Sequence, residues 1–269
     1  MDAPPADTPD HIVDLLRAAG CVFAEDEAGL LRDAATSPAE LDRLVDQRVS
    51  GVPLEQLLGW AEFCGLRVVV EPGVFVPRRR TALMVAEAVR LLGPGDVAVD
   101  LCCGSGAVGA AVLAAVPGIE LHAADVAPAA VRCARRNLPG AQVHLGDLFG
   151  ALPPSLRGRL RVVTCNAPYV PTAAVASLPR EARDHEPVAT LDGGPDGLSV
   201  IARVLADARG WLAPHGTLLV EVAESQVAAA TTLATRAGLP SYVRRRRETG
   251  SVVLLASRGR PVSLPAAAR

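Results

Sequence analysis

Asn166, Ala167, Pro168 and Tyr169 follow directly on the apolar run from Leu160 to Cys165. A sequence that reads as a buried strand thus delivers an amide, a carbonyl and an aromatic ring at its carboxyl end. In an open α/β sheet that end is where ligands bind. The Asn side-chain oxygen and the next backbone carbonyl are two acceptors that together hold both hydrogens of a planar NH2 group, while a Tyr ring packs on its face. Such a grip suits methylation of an amide or an exocyclic amine, because the conjugated nitrogen lone pair reacts with an electrophilic methyl group only when aimed and polarised. The competing reading is a proline turn ending a strand.

A second site narrows the choice. Val97 to Leu101 reads as a buried strand, and Cys102, Cys103, Gly104, Ser105 and Gly106 form a tight loop opening an apolar helix from Ala107 to Val116. Taken literally, Gly104 to Gly109 is the G-x-G-x-x-G of a dinucleotide-binding fold, with Asp125 after the next strand, Ile119 to Ala124. Asp100 tilts the reading elsewhere. A carboxylate at the lip of this loop repels a pyrophosphate but attracts the ammonium and sulfonium of S-adenosylmethionine. Asp125 suits ribose hydroxyls either way, and Asp147, after a short strand from Ala141 to Leu145, is placed to accept from an adenine amino group, with Leu148 and Phe149 as apolar contacts. Each acid has an alternative as a helix N-cap, Asp125 before a helix from Val126 to Asn137 above all. Three acids ending three successive strands, with the NH2 grip ending a fourth, are hard to attribute to caps.

With these residues in place, the chain resembles the HemK/PrmC type of protein-(glutamine-N5) methyltransferase over nearly its whole length. The matching pieces are Pro53 to Gly59 with Ala61-Glu62-Phe63, Gly73 to Arg78 with Thr81, the loop after Asp100, Asn166 to Pro171, and Glu186-Pro187 leading to Leu191 through Gly197. The resemblance implies a class I, Rossmann-like S-adenosylmethionine-dependent fold: a doubly wound α/β sheet with an antiparallel edge and a small helical amino-terminal domain. Carried over residue by residue, it assigns the cofactor to Cys102 through Gly106, Asp125, Val126 and Leu148, with Phe75, Pro77 and Arg78 at its mouth. It assigns the target amide to Asn166 through Tyr169, Asn166 also facing the cofactor. The implied partner is a peptide chain release factor carrying the glutamine of a Gly-Gly-Gln loop. Two departures stand out: Cys102 where the family usually has Gly, and Ala167 where it usually has Pro. Cys102 requires a loop tolerable to an L-residue, and Ala167 keeps the carbonyl but loses the ring that pre-sets φ.

The elements fall into place around these motifs. Residues 1–62 read as a helical recognition domain with loose residues 1–9 and Asp10 capping the first helix, 63–80 as a linking hairpin, 81–257 as the catalytic domain, and 258–269 as a disordered tail. Within the linker, Phe63 to Val70 and Val74 to Val76 read as strands around a turn at Glu71-Pro72-Gly73. Later come a helix from Leu198 to Trp211, a strand from Thr217 to Val222, a helix from Ser225 to Ala237, and a pair of strands, Tyr242 to Arg247 and Ser251 to Ala256.

Composition bounds the class of protein. The chain has 269 residues, is 50% hydrophobic, and lacks both an apolar run near membrane-spanning length and a charged-then-apolar leader, so a cytoplasmic enzyme is expected. None of the 6 cysteines or 5 histidines has metal-ligand spacing, and reduced thiols with no metal are expected. All 27 basic residues are arginine, and a net charge of −2 argues against a general nucleic-acid binder. Arg244 to Arg247 reads as a charged edge strand, and His185-Glu186 as a shaper of the substrate entrance or a surface turn. An N6-adenine methyltransferase needs the same NH2 grip, with Tyr169 stacking on a flipped base, but the chain has no basic DNA-binding region. A non-catalytic cofactor-binding module is the remaining alternative, encouraged only by Cys102 and Ala167.

Overall fold

The computed structural model describes residues 10–259. The expected loose residues 1–9 and most of the expected tail, from 260 onward, lie outside the described residues. Arg258, counted in that tail, is ordered: its backbone exchanges hydrogen bonds with His215 and Gly216 at 2.8 Å because the chain continues along the strand that holds those two residues. The chain begins with three helices, α1 (His11–Ala18), α2 (Ala24–Ala34) and α3 (Pro38–Val49), followed by the single turn α4 (Leu54–Leu58). Their starts are encoded locally. Asp10 accepts from the Ile12 N–H at 3.1 Å, and Ser37 accepts from the Glu40 N–H at 3.2 Å while Glu40 reaches back to the Thr36 N–H at 2.9 Å. Leu16, Leu31 and Leu44 fill a small core of their own between these helices.

The linker differs from the expectation. Strands β1 (Trp60–Phe63) and β2 (Leu66–Val69) pair as a hairpin that turns at Cys64-Gly65, one element earlier than expected, and Val74 to Val76 joins no strand. Both turn residues have positive φ, 51° and 77°, as a two-residue hairpin turn that follows strand twist requires. Glycine at the second position is the usual signal, but cysteine at the first is not, and the proline turn further on was the more conspicuous one.

Helix α5 (Ala82–Val89) then leads into the main sheet. Its elements are β3 (Val97–Leu101), α6 (Ala107–Ala115), β4 (Glu120–Asp125), α7 (Pro128–Asn137), β5 (Gln142–Leu145), β6 (Leu160–Cys165), α8 (Arg180–His185), α9 (Ser199–Trp211), β7 (Leu212–Glu221), α10 (Val227–Arg236), β8 (Ser241–Arg246) and β9 (Ser251–Ser257). The strand order is β5-β4-β3-β6-β7-β9-β8, with β9 antiparallel to both of its neighbours and the remaining pairs parallel. The central strands β3 and β6 are largely buried on both faces because helices cover both. Along β3, Ala98 packs into a core with α5, α6 and α7, whereas Val97, Val99 and Leu101 face a second core under α9 and α10. The charged edge is as expected: β8 is the outermost strand, with Arg244 beside Glu87 at 3.6 Å and Arg245 paired to Glu224 at 2.8 Å. Chain order reverses between β3, flanked by β4, and its other neighbour β6, which opens a crevice at their carboxyl ends. Among the described residues no helix is long and apolar enough to cross a membrane.

Candidate active site

A cavity of about 390 Å³ occupies that crevice, walled by the loop after β3, by the ends of β4 and β6, and by Phe75, Pro77 and Thr81 from the segment before α5. The loop owes its shape to three residues in the left-handed region, Cys102 (φ 54°), Gly104 (54°) and Gly106 (79°). Cys102 therefore occupies a conformation that glycine adopts freely and an L-residue adopts at a cost of about 1–2 kcal/mol. Asp125 fastens the loop. Its Oδ2 accepts from the Gly104 N–H and its Oδ1 from the Ala127 N–H, both at 2.9 Å. The residue capping α7 is Ala127, so Asp125 does not serve as that helix's N-cap. From behind, the Asn137 amide nitrogen donates to both the Ser105 and Val69 carbonyls at 2.8 Å, tying loop, α7 and hairpin together.

The expected site residues are brought together, with two exceptions. Arg78 lies outside the cavity wall, where it pairs with Glu186 at 2.8 Å and caps the Phe75 ring at 5.4 Å from its centroid. Arg80 and Thr81 face the cavity instead. Gly106 also lies behind the wall, so close to α7 that a Cβ there would stand 3.0 Å from the Leu138 side chain. The acids keep their strand-end positions but not all of their expected surroundings. Asp100 sits beneath the loop, not at its lip, 2% exposed, accepting from the Thr164 hydroxyl at 2.9 Å and the Gly109 N–H at 3.1 Å. Burial pushes its carboxyl up to about 7. Asp147 is exposed and one of its oxygens is taken by Arg203 of α9, which shares the cavity wall. Val126 is 67% exposed at the rim, and Leu148 is buried with φ 48°.

At the end of β6 the Asn166 amide nitrogen donates to Thr81 Oγ1 at 3.4 Å, which leaves Oδ1 as the acceptor offered to the cavity. Ala167 is buried, and among the described residues no backbone N–H outside the helix and strand ladders takes its carbonyl. Tyr169 is held at both ends. Its hydroxyl donates to Glu221 Oε1 at 3.1 Å, and its carbonyl accepts from Gln226 Nε2 at 2.8 Å. Burial raises the Tyr169 phenol, and the neighbouring Glu221 adds to the effect. The glycines of Gly193 to Gly197 pack directly beneath: a Cβ on Gly193 would stand 2.7 Å from the Pro168 carbonyl oxygen. Glu186 is buried and reaches across 110 residues to the Val76 N–H at 3.2 Å, so it supports the cavity wall instead of shaping a surface turn. Glu221 and Gln226 were not legible as site residues, being polar positions in and just after an apolar strand, with nothing local to tie them to Tyr169. All six cysteines are free thiols, and among the described residues no cluster of three His, Cys, Asp or Glu could hold a metal.

A seven-stranded sheet of this order with an acid-lined crevice at its switch point defines a class I methyltransferase. The methyltransferase small domain model matches residues 65–178. The chain is 36% identical over 213 residues to a release factor glutamine methyltransferase of Geobacter sulfurreducens, covering 77% of this chain and 74% of that protein. It is 33% identical over 242 residues to a 4-amino-L-phenylalanine/4-methylamino-L-phenylalanine methyltransferase of Streptomyces pristinaespiralis, covering 87% and 82%. In three dimensions it overlays a methyltransferase from Pyrococcus furiosus with a TM-score of 0.56 at 16% identity, over 72% of this chain and 90% of that one. The chain belongs to the HemK/PrmC family of protein-(glutamine-N5) methyltransferases.

Proposed function

We infer that this protein transfers a methyl group from S-adenosylmethionine to the side-chain amide nitrogen of a glutamine in a protein substrate, and that the substrate is a peptide chain release factor. The observation that carries the reading is the paired acceptor at the cavity: Asn166 Oδ1, turned inward by the bond to Thr81, and the Ala167 carbonyl next to it.

The donor set fits the cofactor. Asp125, its carboxylate already fixed by two backbone N–H groups, would take the ribose hydroxyls. Asp147 with Leu148 would take the adenine, and Asp100 and the backbone of Cys102 to Ser105 the amino-acid end. When bound, S-adenosylmethionine supplies a sulfonium-activated methyl group and leaves as the neutral thioether. Asn166 Oδ1 and the Ala167 carbonyl accept the two amide hydrogens of the substrate, which pins the NH2 plane and exposes one lobe of nitrogen to the methyl. Both acceptors also favour the positive charge that grows on nitrogen as the N–C bond forms and the S–C bond breaks. The N-methylated amide nitrogen is then acidic enough to release its proton to water, so no strong base is required. The Tyr169 ring limits motion of the amide within the grip.

Selection of one glutamine must come from surfaces around the motif, because the grip recognises only an NH2 group. The helical region within residues 1–62 is suited to that role. Its Arg48 joins Glu27 and, at 2.6 Å, Glu181 of α8, in the segment that follows the grip.

A second reading is favoured by one observation: the S. pristinaespiralis relative, which spans more of this chain than the G. sulfurreducens one, is a methyltransferase of an aromatic amino acid bearing an amine. The NH2 of such an arylamine suits the same two acceptors. Labelled S-adenosylmethionine offered with a release factor, its Gly-Gly-Glu variant, free 4-aminophenylalanine and duplex DNA separates the readings. Label on the release factor that disappears with the glutamine supports the assignment. Transfer only to the free amine, or only to DNA, would replace it.

A further inference from the structure

Glu221 ends β7 beside the NH2 grip, 2% exposed, and is not itself a lining residue of the cavity but stands directly behind two that are, Tyr169 and Arg80. Its Oε1 accepts from the Tyr169 hydroxyl and from Arg80 Nε, both at 3.1 Å, while its Oε2 is buried without a hydrogen-bond partner. Arg80, in turn, lies over the Tyr169 ring, its guanidinium carbon 5.4 Å from the centroid. A buried carboxylate with one orphan oxygen is a poor stabilising device: apolar residues of similar volume are usually as good or better. What this arrangement does achieve is to fix the Tyr169 ring from its edge, through the hydroxyl, and from its face, through Arg80.

We propose that Glu221 is a positioning residue for methyl transfer. It locks the Tyr169 ring against the amide held by Asn166 and Ala167 and holds Arg80 over that ring. The proposal rests on the reading of Asn166 to Tyr169 as the NH2 grip. A loosened ring lets the acceptor nitrogen drift from the line of attack, and misplacement of the order of 1 Å costs up to about 10²-fold in rate. Cofactor binding should change little, since Glu221 is not itself a lining residue of the cavity.

Glu221→Met tests this directly, because it keeps the volume, removes the acceptor and the orphan oxygen, and is expected to fold at least as well as the parent. Circular dichroism should show unchanged or raised thermal stability, and calorimetry S-adenosylmethionine affinity within threefold of the parent. With the acceptor that the parent protein methylates, kcat should fall at least tenfold while KM moves less than threefold. Glu221→Gln keeps an oxygen at Oε1 and should restore kcat to within threefold. Glu221→Met combined with Tyr169→Phe should be no worse than threefold below the poorer single variant, since both act through one ring. Parent-like kcat in Glu221→Met, or losses that multiply in the double variant, would overturn the proposal. A readout free of any acceptor comes from ring-labelled tyrosine, of which the chain has 2. By NMR the Tyr169 ring signals should shift and sharpen in Glu221→Met and stay put in Glu221→Gln, and unmoved signals in both would also overturn it. Failure of the parent to methylate any acceptor would count against the grip reading alone.

Discussion

Gly197 packs so closely beneath Tyr169 that a methyl group on its Cα would stand well inside van der Waals contact with the Tyr169 carbonyl oxygen, and its φ of 75° already lies where an L-residue is strained. The segment from Gly193 to Gly197 is thus the floor on which Asn166 to Tyr169 rest. Gly197→Ala is expected to displace the tetrapeptide, lowering kcat by about tenfold or more. Affinity for S-adenosylmethionine should change much less, since the cofactor loop belongs to a different strand end. Full turnover by Gly197→Ala would show that the close approach is incidental.

Removing the Asn166 acceptor should act on chemistry far more than on the cofactor. Asn166→Ala is expected to cost about 10²-fold or more in turnover, as orientation and charge stabilisation are lost together. Thr81→Val, which only frees the Asn166 amide to rotate, should cost less. Steady-state rates with a methylated acceptor, beside calorimetry with the cofactor, measure both. Near-parent turnover of Asn166→Ala would refute the role given to that residue.

Asp125 ties the cofactor loop to the start of α7 through Gly104 and Ala127. Asp125→Ala is therefore expected to weaken S-adenosylmethionine by roughly 1–3 kcal/mol through lost hydrogen bonds to the ribose. Calorimetry of the variant checks it. A parallel titration with NAD should show no saturable binding by the parent, and NAD binding in place of S-adenosylmethionine would reverse the cofactor assignment.

Asp100 makes a prediction about pH. Its carboxyl is raised by burial to about 7, above the ordinary carboxylate value of an unfolded chain. Between roughly pH 4 and 7 the folded protein keeps a proton that the unfolded chain has released, so this group makes stability fall as pH rises through that window and adds no further change above it. The slope from one such proton is at most about 1.4 kcal/mol per pH unit. Asp100→Asn can still accept from the Gly109 N–H and removes the titration. The urea midpoint of the parent relative to that variant should drop from pH 5 to pH 7 and then level. A difference that is flat across the range would mean that the Asp100 carboxyl titrates as an ordinary surface acid.

The parallel half of the sheet was legible from the sequence because its strands carry apolar runs, each closing at or near a polar residue that stands out from its run: Asp100, Asp125, Asp147, Asn166. The hairpin was not, since Cys64 accepts a left-handed turn that its residue type does not advertise. Depth was equally hidden. A strand-end acid reads the same whether it lies at a loop's lip or, like Asp100, under it, because depth depends on Thr164 from the neighbouring strand. Arg78 and Arg80 differ only by which of two buried glutamates they meet, Glu186 or Glu221, and each meeting is set by residues more than a hundred positions away. Local pattern identifies strand ends; it carries no information on such long-range pairs.

The placement of β9 between β7 and β8 governs how the protein can be made. Synthesis runs from the amino terminus, so β7 leaves the ribosome with one edge bare and β8 emerges with no neighbour to join. Neither edge is closed until β9 emerges, since its two sides complete both ladders. Until then the nascent chain presents an open, largely apolar strand edge next to Glu221, the kind of surface that chaperones hold and that seeds aggregation. Newly made copies should therefore gain competence abruptly, when residues up to Ser257 have cleared the exit tunnel. Nonsense or frameshift alleles ending within β8 should be lost to proteolysis instead of persisting as weakened enzymes.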